Sequence, residues 1–164
     1  MRVEHTYRRG GVLDYIAALD VHRVAVFGRC EEATTIASFD RLVAQVMATE
    51  PYASARRVFW IVDNDSAHRG QRAIDRLRAA HRNLRLVHVP VHSSWLNQIE
   101  IYFSIVQRKV LTPNDFTDLA EVEGRLFDFQ RRYERLAKPF EWRFTRADLA
   151  DLLTRLEQKE CLAA

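Results

Sequence analysis

The sequence predicts an α/β domain, a mixed sheet flanked by helices. Three observations predict it. Val58 to Val62 is an unbroken apolar run that meets an acid at Asp63, the pattern of a buried strand ending at its C-terminal edge. Trp95, Ile99, Phe103, Val106 and Val110 step by three or four through the stretch Trp95 to Leu111, so they share one helical face. Between and around these stretches, strand patterns and helix patterns alternate along the chain.

Taken in order, Gly10-Gly11 follows the basic segment His5 to Arg9. "VLDYIAALD" and "RVAVFGRC" then read as two strands joined through Asp20 to Arg23, an antiparallel hairpin. Ile36, Phe39, Leu42, Val43, Val46 and Met47 have helical spacing, and Pro51 limits that helix on its C-terminal side. The strand Val58 to Val62 follows. Arg69 to His81 reads as a short basic helix with Ile74 and Leu77 inward. "LRLVHVP" is another short strand, closed by Pro90, and Ser93 or Ser94 is placed to cap the helix that follows. "TPND" breaks the chain after Leu111. Leu119, Val122, Leu126, Phe129, Tyr133 and Leu136 then form the seam of an amphipathic helix, with Arg125, Arg131, Arg132 and Arg135 on its other faces. Thr145 with Asp148 has the spacing of a capping box and opens a last helix through Leu149, Leu152, Leu153 and Leu156.

The totals exclude several classes. A chain of 164 residues with 48% hydrophobic content fits one globular domain rather than a disordered one. No apolar run approaches the roughly 20 residues of a membrane helix, and the N-terminal segment lacks the apolar core of a secretory signal. Cys30 and Cys161 lie far apart, which argues for a reducing compartment and against a clustered zinc site. A net charge of +3 and a pI near 9.1 give a mild basic bias, compatible with nucleic acid.

The candidate chemistry rests on acids. Glu100 is off the apolar stripe and lies in a polar row with Asn97, Ser104 and Gln107. The stretch between Asp63 and Glu100 holds one helix, one strand and a turn, enough to bring Glu100 back over the strand end. Ligands of open α/β sheets sit at that end. Two carboxylates there suit Mg²⁺, a hard cation that takes oxygen ligands. Two such ions about 3.5–4 Å apart activate a water and stabilise the leaving oxygen in phosphodiester cleavage. A third acid is expected, because two carboxylates poorly neutralise two divalent ions. Asn64 suits the turn at Asp63, Asp65 reads as a helix cap, and His88 as a satisfied core histidine. His68, His92, Asn97, Arg108 and Lys109 are candidate DNA contacts, each weighed against a structural or solvated role; His68 is read equally as touching the acid site, and Asn97 as supporting it from one turn before Glu100. Trp95 reads as core.

The runs "IVDNDSAH", "VPVHSSWLNQIEIYFSIVQRKVL" and "KPFEW" resemble the catalytic domain of DDE transposases, in the bacterial insertion-sequence group related to mariner elements. The resemblance extends from about Tyr7 to Leu153. It implies a ribonuclease-H-like fold and an Asp-Asp-Glu set holding two Mg²⁺ or Mn²⁺ ions. It also implies an enzyme that nicks transposon ends and joins the 3′ hydroxyl to target DNA. Matched by motif, Asp63 corresponds to the family's second acid and Glu100 to its third, so both are the implied catalytic residues and metal ligands.

In that family the first Asp lies on a central first strand, upstream of the segment matching Tyr7 to Asp20. The resemblance therefore implies a partial domain, N-terminally truncated and lacking that strand, inactive alone as a frame-split or incomplete transposase. Asp14 and Asp20 fall on the second strand and are weak substitutes for the first acid. The expected organisation is a single domain over 1–164, with the helices across 117–160 packed on it. Expected partners are DNA, both transposon ends and target, with a homodimer or an upstream transposase polypeptide. The expected place is the bacterial cytoplasm, at the nucleoid when bound to DNA, and no membrane. A non-catalytic DNA-binding or dimerising regulatory fragment of the same element is the alternative, and an ordinary ribonuclease-H-like nuclease a third reading.

Overall fold

A computed structural model describes residues 11–65, 68–90 and 97–139, together with Thr145, Ala147, Asp148 and Thr154. Its elements are β1 (Asp14–Asp20), β2 (Ala25–Glu31), α1 (Ile36–Met47), β3 (Val58–Val62), α2 (Gly70–Ala80), β4 (Leu84–His88), α3 (Ile99–Val106), a π-helical turn (Gln107–Leu111) and α4 (Leu119–Leu136). The domain is mixed α/β, as expected, and its layout is compatible with a ribonuclease-H-like fold. Antiparallel and parallel pairing occur in separate sheets, β1 with β2 and β3 with β4.

The hairpin turn is built by Asp20. Its Oδ1 accepts the backbone N–H of His22 at 2.8 Å and of Arg23 at 3.0 Å, and its Oδ2 accepts the Tyr52 hydroxyl at 2.6 Å. Burial works to raise the Asp20 pKa, but the Tyr52 hydroxyl and the two amides outweigh it and hold the carboxyl below its ordinary value. Asp14 is committed in the same way, its Oδ2 accepting the Thr34 N–H and hydroxyl at 2.6 and 2.9 Å. Both acids therefore serve the hairpin and its exit.

Helix α1 starts at a complete capping box. The Thr35 hydroxyl accepts the Ser38 N–H at 3.1 Å, and the Ser38 hydroxyl accepts the Thr35 N–H at 2.7 Å. Its apolar face supplies Leu42, Val43, Val46 and Met47 to a first core, completed by Trp60 of β3, Leu77 of α2 and Leu84 of β4. Ile16, Ala18 and Phe27 of the hairpin pack on the same cluster, so α1 covers one face of both sheets. On α2 the buried residues are Ala73 and Leu77; Ile74, expected inward, is only half-buried.

A second core covers the other face of the hairpin. Tyr102, Val106 and Val110 from α3 and the π turn meet Val26 of β2 and Leu126 of α4. The expected helix over Trp95 to Leu111 is shorter, starting at Ile99 with Gln98 at its N-cap. Gln98 makes no side-chain cap bond; Ser93 and Ser94, the expected caps, and Trp95 lie outside the described residues. The helix closes on a π turn because Gln107 C=O accepts both the N–H and the hydroxyl of Thr112, each at 2.8 Å. Thr112 thus competes for the carbonyl that an α-helical turn would give to residue 111.

Helix α4 is as long as the seam implies, but Leu136 at its end is 71% exposed. Two polar residues of α4 reach the backbone of β2 instead. Gln130 Oε1 accepts the Gly28 N–H at 3.1 Å and Gln130 Nε2 donates to Val26 C=O at 2.7 Å, while Glu134 accepts the Val26 N–H at 2.7 Å. These side chains pair backbone groups on the edge of β2 that faces away from β1, and so close that edge. The capping box at Thr145 and Asp148 forms as its spacing implies.

Candidate functional site

Strands β3 and β4 are parallel with Val62 opposite His88, so their C-terminal ends lie side by side. Asp63 follows β3 at once. A parallel pair leaves both chain exits at one edge, and the groups gathered there are set by the turn that β3 enters. That turn is held to β4 by two bonds: Asn64 Nδ2 donates to Val89 C=O at 2.9 Å, and His88 Nε2 donates to His68 C=O at 2.8 Å. Asn64 therefore orients the Asp63 turn, and His88 is satisfied, as both were read from the sequence.

Within the turn, the chain folds His68 back onto Asp63. His68 Nε2 donates to Asp63 Oδ1 at 2.6 Å, and the Asp65 N–H reaches the same oxygen at 3.2 Å. The His68 side chain is 11% exposed and packs against Phe39 of α1, with ring centroids 4.8 Å apart and the rings tilted at 45°. Asp63 itself keeps 41% of its side chain exposed, and among the described residues its Oδ2 carries no hydrogen bond. Asp65 does not cap α2, whose N-cap is Arg69.

Glu100 lies in the first turn of α3 and is exposed, on the polar face with Asn97, Ser104 and Gln107 that the spacing predicted. The helix is anchored on its opposite face by Tyr102, which is fully buried and whose hydroxyl lies 2.9 Å from that of Tyr15 in β1. Burial pushes the Tyr102 phenol up to about 12, so it stays protonated and able to donate. Tyr102 was missed by the sequence stripe because its hydroxyl places it off a purely apolar pattern. Arg108 and Lys109 are exposed on the π turn, and His92 lies outside the described residues.

The structure thus joins Asp63 to His68, Asn64 and β4, and sets Glu100 on a helix packed in the second core. Asp63 offers a hard oxygen donor of the kind Mg²⁺ or Mn²⁺ takes. Among the described residues, no group of three or more His, Cys, Asp or Glu side chains gathers to hold a metal ion. Cys30 is no nucleophile: burial, with Glu123 and Glu31 nearby, pushes its thiol up to about 11. No described helix is long and apolar enough to cross a membrane.

The family model for the DDE superfamily endonuclease matches residues 1–123. That span covers both sheets, the Asp63 turn and the helix bearing Glu100. No curated protein and no solved structure matches the chain. On that match the chain belongs to the DDE superfamily endonucleases, the nuclease family of transposases, which act on DNA and generally depend on divalent metal ions.

Proposed function

We propose that this chain is a transposase catalytic domain of the insertion-sequence type, related to mariner elements, whose chemistry is DNA strand cleavage and strand transfer. The observation that carries this reading is the carboxylate of Asp63. It sits at the C-terminal edge of a parallel strand pair with one oxygen held and the other open, in a chain of the DDE superfamily. Asp63 and Glu100 would hold Mg²⁺ or Mn²⁺, two ions in the complete site. The ions supply activation of the attacking oxygen and stabilisation of the leaving one. The remaining task of the protein is to aim the two carboxylates and to hold DNA. Exposed Arg108 and Lys109, with Asn97 and His92, are the proposed backbone contacts.

Two carboxylates poorly neutralise two divalent ions, so the reading includes a third acid besides Asp63 and Glu100. The two sheets share one core on α1 yet do not pair with each other among the described residues. An extended segment carrying an Asp and lying against β1 or β3 would join them. An upstream transposase polypeptide suits that role, and a second copy of the chain in a homodimer is the other candidate. The complex would work in the bacterial cytoplasm, on nucleoid DNA.

The test is a nicking assay on supercoiled and transposon-end DNA with Mg²⁺ or Mn²⁺. The chain alone is expected to leave DNA intact, and cleavage is expected when an acid-bearing partner strand is added. Robust metal-dependent cleavage by the chain alone would overturn the need for a partner. Absence of Mn²⁺ binding in every combination would overturn the catalytic reading. It would favour a second one, a DNA-binding or dimerising fragment that regulates the intact enzyme.

A further inference from the structure

We infer that His68 is a positioning residue that fixes the Asp63 carboxylate so that a cation binds through Oδ2 alone. The inference rests on the reading of Asp63 as a metal ligand and goes further, to which oxygen is used and what holds it. Two donors converge on Oδ1: the His68 Nε2–H at 2.6 Å and the Asp65 N–H at 3.2 Å. A carboxylate oxygen has two lone-pair directions, and both are taken. Among the described residues the open oxygen is Oδ2, on a side chain that is 41% exposed while His68 is buried against Phe39.

The ring has no other polar work. His68 Nδ1 is buried with no hydrogen-bond partner. An ionised carboxylate only accepts, so Nε2 carries the hydrogen. Burial of the unmet Nδ1 costs free energy. It is retained where the Nε2 bond fixes the rotamer of Asp63. The backbone beneath is held as well, because His88 donates to the His68 carbonyl at 2.8 Å from the end of β4. A DNA phosphate could not reach a side chain that is 11% exposed with its Nε2 already committed. His68 therefore acts through Asp63 and not on DNA.

The experiment measures Mn²⁺ affinity by electron paramagnetic resonance on the full chain, for the wild type, Asp63→Ala, His68→Leu and His68→Gln. The glutamine amide introduced by His68→Gln places an N–H near the position of the histidine Nε2; leucine fills the volume without a donor. His68→Leu is expected to weaken Mn²⁺ binding by about 10–100-fold, as loss of such outer partners does, and His68→Gln to restore most of it. A role in packing alone would make both variants equal. Should His68→Leu fail to fold, ¹⁵N-histidine spectra of the wild type decide. The His68 Nε2 resonance, assigned by its loss in His68→Gln, must move during a Mg²⁺ titration. A still resonance, or wild-type affinity in His68→Leu, overturns the inference while leaving Asp63 a ligand. Unchanged affinity in Asp63→Ala overturns the reading of the site itself.

Discussion

The hydroxyls of Tyr15 in β1 and Tyr102 in α3 lie 2.9 Å apart in the second core. This contact ties the helix that carries Glu100 to the hairpin, and Gln130 of α4 joins it by accepting the Tyr15 hydroxyl at 3.2 Å. Tyr15 is the donor to Gln130 Oε1, so the Tyr102 hydroxyl donates to Tyr15. Tyr102→Phe removes one bond from a buried chain of three groups and is expected to cost about 1 kcal/mol of stability by urea unfolding. Tyr102→Ala removes the fully buried ring as well and is expected to cost about 3–5 kcal/mol. Near-equal losses in the two variants would mean that the ring is not packed as described.

The β2 edge gives a second prediction. Gln130→Leu leaves the Gly28 N–H and Val26 C=O without their partners and is expected to cost about 1–3 kcal/mol. It also opens a strand edge, so light scattering should rise with concentration. Gly28→Ala attacks the same contact from the other side, since a Cβ there would stand 2.4 Å from both Gln130 Oε1 and the Tyr15 hydroxyl. Its expected cost is about 1–3 kcal/mol, the range of an overpacked core.

Acid stability follows Glu31. Hydrogen bonds from Arg41 and Arg29 hold its carboxyl down at about 2, against an ordinary 4.5. A depressed acid contributes stability above its unfolded pKa and loses it as pH falls through the folded one. The contribution is therefore whole above about pH 4.5 and gone near pH 2. Glu31→Gln should be less stable than the wild type at pH 7, and the two thermal midpoints should converge on acidification across that window. Parallel curves from pH 7 to pH 2 would contradict it.

The exposed position of Glu100 separates function from folding. Glu100→Gln should cost less than about 1 kcal/mol, because the side chain is exposed and loses only its charge interaction with the N-terminus of α3. The same change, like Asp63→Ala, is expected to abolish Mn²⁺ binding if the two acids share cations. Retained affinity in Glu100→Gln with loss in Asp63→Ala would leave Asp63 a ligand and remove Glu100 from the site.

Much of this was legible before any coordinates, and for local reasons. Val58 to Val62 is a strand with the bounds its apolar run marks, but the expected full burial holds on one face only: Trp60 and Val62 are buried, while Phe59 and Ile61 are exposed among the described residues. The hairpin through Asp20 and the helix Ile36–Met47 rest on turn and cap chemistry that neighbouring residues decide. The polar face of Glu100 follows from helical period alone. The helix start at Ile99 was not legible, because the period of a stripe does not say where its first turn is capped.

What only the tertiary structure decided is long-range and polar. Gln130 and Glu134 look like surface residues by composition, yet they face β2, because the edge of that strand offers unpaired amides across more than a hundred positions of sequence. His68 was read as touching either the site or DNA, and the structure binds it to Asp63, since the turn between them closes on β4 and buries the side chain against Phe39. Periodicity reports which residues leave water. It carries no information on which distant donor meets which acceptor, and that pairing sets how Asp63 is held.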